Sequence, residues 1–250
     1  MKKIFSFLLF SNILIFNLIG QSHISTEPHQ SGVSNLIWNT KGDSLDHSFF
    51  SAGDDGFLIK WNEDNHGEHY QITEVGIKLI AISPNGNDIA VYETDGGSVN
   101  KVSVWDWRRL SRKFHRKYKD SITSLAFSSK GNYLIVGTAS VDGVEFFHTS
   151  NWNKINKIKA NTGIVNYIHT SDTEKTAVFY SPVGNLAYYN LQTGNLKEKI
   201  NVMQGLQQPT LFNDNIFFAG IQDNNIYVMN AFKGNIITAI PSQNPIILSS

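Results

Sequence analysis

The chain has 250 residues, carries 21 basic and 21 acidic side chains, and contains no cysteine. Zero net charge removes any global electrostatic case for nucleic acid or an anionic membrane surface. The lack of cysteine excludes thiolate metal sites, cysteine nucleophiles, a disulfide framework and the lipidated cysteine of a bacterial lipoprotein leader.

Residues 1–21 read as a signal peptide, with Lys2 and Lys3 ahead of an apolar run from Ile4 to Ile19 and small or polar residues after it. That run is shorter than the ~20 apolar residues of a spanning helix. The alternative is an uncleaved anchor, which would be the protein's sole membrane contact. A cleaved leader implies a secreted or periplasmic protein. Residues 22–32 are either an outer strand that closes a ring or a lead-in.

From His29 to Asn62 the chain reads strand, turn, strand, turn, strand. Val33 to Asn39 alternates, Thr40-Lys41-Gly42-Asp43 turns, His47 to Ala52 is a second strand, and Phe57 to Trp61 is a third. Gly53-Asp54-Asp55-Gly56 is a hairpin turn of residues that tolerate positive φ. The third strand recurs, ending at Trp61, Trp105, Phe147, Tyr189 and Met229, with steps of 44, 42, 42 and 40. The first strand keeps the same period through Trp38, Ile82, Phe127 and His169. A period of roughly 40–45 with three or four short strands marks propeller blades. The expected fold is therefore all-β: a propeller over residues 22–250 with blades at 33–74, 75–119, 120–159, 160–202 and 203–242. Outer strands are expected in HYQITE, SRKFHRKY, INKIKA, LKEKINV and NIITAI.

On these residues the chain resembles the WD40 repeat family. His29 stands four before Val33 and Asp55 six before Trp61, at the family's histidine and turn-aspartate positions, and Trp105-Asp106 is its WD dipeptide. The resemblance implies a structural tetrad of His29, Ser51, Asp55 and Trp61 in blade one. Later blades depart from it: the histidine position holds Thr73, Tyr118 and Ala160, and the tryptophan becomes Phe147, Tyr189 and Met229.

Asn244 to Ser250 reads as the first strand of a sixth blade. Three arrangements accommodate it: an interrupted ring of six to eight blades, a closed ring of five with a tail, or a last blade completed by a second chain. We take the interrupted ring as the expectation.

Ligands usually meet this fold at the rim of hairpins between second and third strands and loops before first strands. Its candidates here are Asp54, Asp95, Asp120, Asp142 and Asp223, against the ordinary reading that such residues fold the turns they occupy. Blade two departs in length. Phe50 to Trp61, Val136 to Phe147 and Phe218 to Met229 span 11 positions, Phe179 to Tyr189 spans 10, and Val91 to Trp105 spans 14. Residues 93–101 therefore hold an insertion, either a recognition loop or a harmless one.

A second candidate is a basic patch of Arg108, Arg109, Arg112, Lys113, Arg116 and Lys117, read either as a dock for an acidic partner or as a solvated edge strand. Residues 63–69 bunch carboxylates with His66 and His69, but no metal-ligand spacing supports an ion there. No cofactor is expected. Nucleophile-elbow, phosphate-loop and dinucleotide signatures are missing. The reading is a non-catalytic interaction scaffold with an unidentified protein partner. The alternative is a propeller hydrolase or lyase using carboxylates at the channel mouth.

Overall fold

Short strands paired to their sequence neighbours dominate the computed structural model, which describes residues 22–25, 27–39, 48–140, 143–155, 164–212 and 215–241. Among these residues there is no helix, and so none long and apolar enough to cross a membrane. The signal-peptide reading of residues 1–21, Asp142 and the sixth-blade strand at Asn244–Ser250 lie outside the described residues.

The described residues form a β-propeller of five antiparallel blades. The first strand, β1 (Ser22–Ser25), belongs to blade one with β2 (Val33–Trp38), β3 (Phe49–Gly53), β4 (Phe57–Trp61) and β5 (Gly67–Gln71). Blade two is β6 (Gly76–Ile82), β7 (Asp88–Thr94), β8 (Asn100–Asp106) and β9 (Ser111–Lys117). Blade three is β10 (Ile122–Phe127), β11 (Tyr133–Thr138), β12 (Val144–His148) and β13 (Lys154–Ile155). Blade four is β14 (Tyr167–Thr170), β15 (Thr176–Ser181), β16 (Asn185–Asn190) and β17 (Leu196–Asn201). Blade five is β18 (Gln207–Phe212), β19 (Phe217–Gln222), β20 (Asn225–Asn230) and β21 (Ile236–Pro241). The segment from Ser22 does not close a ring on another blade. β1 pairs with β5 as a fifth, outermost strand of its own blade.

Local chemistry sets these hairpins. Asp55 accepts a bond from Phe57 N at 3.1 Å. Gly56 has φ +77°, and a Cβ there would strike the Thr73 carbonyl, so this turn requires glycine. Before the last strands of blades four and five, Asn190 and Asn230 cap the backbone N–H groups of Gln192 and Thr193, and of Phe232 and Lys233. Gly194 and Gly234 then take positive φ, which explains the repeated turn ending in glycine.

The ladders are in one register. Trp38–Phe49–Trp61, Ile82–Ile89–Trp105, Phe127–Leu134–Phe147, Thr170–Ala177–Tyr189 and Leu211–Phe218–Met229 are equivalent cross-strand rows. In blades two to five the second and third members of each row are buried, and they pack against the preceding blade. Four apolar clusters thus join consecutive blades, the way a repeat protein must hide its faces. The innermost strands of all five blades border a channel of about 990 Å³.

Candidate functional site

Blade one assembles a continuous polar chain. The Trp61 indole N–H donates to Ser51 Oγ at 2.8 Å, that hydroxyl lies 2.7 Å from His29 Nε2, and His29 Nδ1 lies 2.9 Å from Asp55 Oδ1. Asp55 also accepts from Gln30 N at 2.9 Å. Four segments separated in sequence are locked together, so the carboxylate of Asp55 is occupied in holding the blade.

Blade two builds a different chain at the same level. Trp105 donates to Ser103 Oγ at 2.8 Å, Ser103 donates to Glu93, and Lys101 Nζ lies 2.5 Å from Glu93. Glu93 and Ser103 are both fully buried. Asp106 of the WD dipeptide accepts from Arg109 N at 3.1 Å and faces Lys113 at 3.8 Å.

The blade-two insertion lengthens the hairpin. Its ladder continues through Glu93–Lys101 and Thr94–Asn100, while blade one stops at Ala52–Leu58. The loop beyond is folded by its own side chains. Asp95 accepts from Gly97 N at 2.8 Å, Val99 N at 2.9 Å and Ser98 Oγ at 3.2 Å, and Thr94 Oγ1 accepts from Gly96 N at 3.0 Å. The bonds from Val99 and Gly97 hold the Asp95 carboxyl below the ordinary aspartate value. Residues 95–98 are exposed, and the space over Gly96 is open.

The other rim carboxylates do not gather. Asp54 pairs with Lys78 of the next blade at 2.5 Å, Asp120 is exposed in the loop before β10, and Asp223 sits in a tight turn at φ +48°. Among the described residues no three His, Asp or Glu side chains group in a metal-binding arrangement. In the 62–66 turn Asn62 Oδ1 accepts from Asp64 N and His66 N. His69 is buried against the Phe57 and Trp61 rings.

Part of the basic run engages neighbouring groups. Arg108 lies over Trp107 at 5.1 Å, Arg112 over Trp105 at 5.8 Å and Arg116 over Phe147 at 5.5 Å. Arg116 Nε is 3.1 Å from Glu145 of blade three, and Lys113 is 2.5 Å from Asp88. Arg108, Arg109, Arg112, Lys113 and Lys117 are exposed, and Arg116 is half-buried. Beside this cluster, burial and the Glu145 carboxylate push the Tyr118 hydroxyl far above its ordinary pKa.

Other structural groups gave no motif signal. Trp107 follows the WD dipeptide yet wedges between blades one and two, 5.1 Å from Phe50, and its N–H donates to Gly86 O at 2.9 Å. Glu174 of blade four accepts from Lys130 N at 2.8 Å and Asn132 Nδ2 at 2.7 Å of blade three. Burial works against its ionisation, but the donors of Ser128, Asn132 and Lys130 outweigh it and hold the carboxyl below the ordinary glutamate value.

A family model described as an N-terminal beta-propeller domain matches residues 21–250. An uncharacterized protein of Treponema pallidum (strain Nichols) is 32% identical over 200 residues, which is 80% of this chain and 33% of that protein. The chain thus spans about a third of the length of that relative.

Proposed function

This chain belongs to the N-terminal beta-propeller domain family, and from that premise we propose that it is a non-catalytic protein-interaction scaffold of WD40 type, working outside the cytoplasm. The WD40 assignment is supported by the His29–Ser51–Asp55–Trp61 chain of blade one. The location is supported by the leader pattern of residues 1–21. The observation that carries the scaffold reading is the projecting hairpin of blade two. Its loop is exposed, yet Asp95 and Thr94 already hold it in one shape. A pre-ordered loop loses little conformational freedom on binding.

A photo-crosslinking side chain placed at Ser98 in the protein's native envelope is the test. A discrete protein adduct at Ser98, lost on Asp95→Ala, which removes the bonds that shape the loop but keeps position 98, supports the reading. Equal labelling from Ser98 and from the exposed outer-strand position Lys197 would refute it.

A further inference from the structure

Blade one shows what the outer edge of a blade accepts in this protein. Beyond its fourth strand, β5, it takes β1 as a fifth, with His23 opposite His69. Ile72 N donates to Gly56 O at 3.1 Å, which sets the alternation of the β4–β5 ladder. The N–H and C=O of His69 therefore turn outward, toward β1.

β9 has the same construction without that cover. It ends the blade-two sheet among the described residues. Tyr118 N donates to Asn100 O at 2.8 Å, so Val102–Arg116 and Val104–Phe114 are the pairs that exchange bonds. The N–H and C=O of His115 and Lys117 then turn away from β8, and His115 stands at the position of His69. On its blade-three side the strand is already fixed: Phe114 lies 5.1 Å from Phe147, and Arg116 Nε lies 3.1 Å from Glu145.

Charge singles this edge out. β9 holds Arg112, Lys113, His115, Arg116 and Lys117 and no acidic residue. By contrast β17 mixes Lys197, Glu198 and Lys199, β21 carries no charged residue, and β13 has only 2 residues. Lys113 and Arg116 meet carboxylates, but among the described residues Arg108, Arg112 and Lys117 meet none. The Arg109 side chain is 82% exposed. Such a row opposes pairing with a basic or neutral strand and favours an acidic one.

We propose that β9 is a docking edge for an extended acidic segment of a partner protein, which adds to blade two as a fifth strand, as β1 adds to blade one. Backbone bonds to His115 and Lys117 set its register. Alternate side chains of the segment lie on the face that carries His115 and Lys117, where carboxylates find basic partners. The strand is ordered before the partner arrives, so little freedom is lost there on binding. The edge is distinct from the exposed loop of residues 95–98.

A labelled synthetic peptide of alternating glutamate and valine is the probe. It should bind saturably at low salt, weaken as ionic strength rises, and slow amide exchange at His115 and Lys117. The same peptide with glutamine for glutamate should not bind. His115→Pro removes an outward N–H and no ladder bond, so circular dichroism should be unchanged while affinity falls about tenfold. If that variant fails to fold, the peptide itself gives the same reading: N-methylation of one alternate set of its amides should abolish binding, and of the other set should not. No binding, equal binding of the glutamine peptide, or binding untouched by His115→Pro and by either N-methylation would overturn the proposal. So would protection confined to residues 95–98, an outcome that leaves the hairpin reading in place.

Discussion

Blades one and two place a tryptophan at the same register and satisfy its indole in the same way, yet they complete the circuit with different chemistry. Trp61 and Trp105 each donate to a serine hydroxyl 2.8 Å away. In blade one the serine is Ser51 on β3, and the chain leads out through His29 to Asp55 at the hairpin. In blade two it is Ser103 on β8, and the chain leads inward to Glu93, which Lys101 neutralises. Ser51 stands opposite Ile59, and Ser103 opposite Val91. One cross-strand pair thus holds a hydroxyl and an aliphatic group in either order. The lesson is that the blade needs an acceptor for its indole at one place in space, and more than one set of residues can supply it. The blades also differ in cover: Trp105 is 5% exposed against blade one, while Trp61 is half-buried.

Replacing the two tryptophans separates these readings most sharply. Trp105→Ala should cost about 4 kcal/mol, as for a fully packed core aromatic. Trp61→Ala should cost about 2 kcal/mol, as less apolar area leaves water there. Urea unfolding midpoints check the order, and an equal or larger loss at Trp61 breaks the comparison.

Removing the acids tests the two polar chains. Glu93→Ala leaves Lys101 beside an empty buried position and should cost about 3 kcal/mol. Asp55→Ala should cost about 2 kcal/mol, because the bonds from His29 and two backbone N–H groups go but water can reach the hairpin. If Asp55→Ala proves the costlier, the buried acid is not the keystone of blade two.

Glu174 extends the comparison to the blade three–four junction and sets a pH dependence. Its folded pKa lies below its unfolded value. Its contribution is therefore complete above the unfolded value, near 4.3, and is lost as pH falls through the depressed one. Glu174→Gln should lose about 1 kcal/mol at neutral pH and narrow that gap as the pH drops. Thermal melts from pH 7 down to pH 3 read this out, and a constant gap between the two proteins removes Glu174 as the cause.

The smallest effect belongs to the outer strand. Lys113 is partly exposed where it meets Asp88, so Lys113→Gln should change stability by less than about 0.5 kcal/mol. A larger loss would make β9 a structural brace of blade two.

The strands were legible because their signals are local. Alternation, the turn residues around Gly56 and the Asn–Gly turns at 190–194 and 230–234 act over a few positions, and the ladders follow them. The proximity of His29, Ser51 and Asp55 was legible only through the family resemblance, since 26 residues separate His29 from Asp55. The second polar chain was not legible, because Glu93 and Ser103 sit in an ordinary-looking strand and insertion. Their roles arise from burial under neighbouring blades. The surroundings of the basic run were not legible for the same reason. Its charge is plain in the sequence, but the carboxylates that meet Arg116 and Lys113, Glu145 and Asp88, are 29 and 25 residues away and reach them only through strand pairing and blade packing.

By itself the sequence determined the repeat, the number of blades it spells out and the strands within each. A period of two along a strand and a period near 42 along the chain are properties of order alone. The tertiary structure decided where Ser22–Ser25 pairs, which charges find a carboxylate partner and which acid is buried. Those outcomes depend on what a blade meets across the ring, and a neighbour's cover is a property of three-dimensional packing that no local pattern carries.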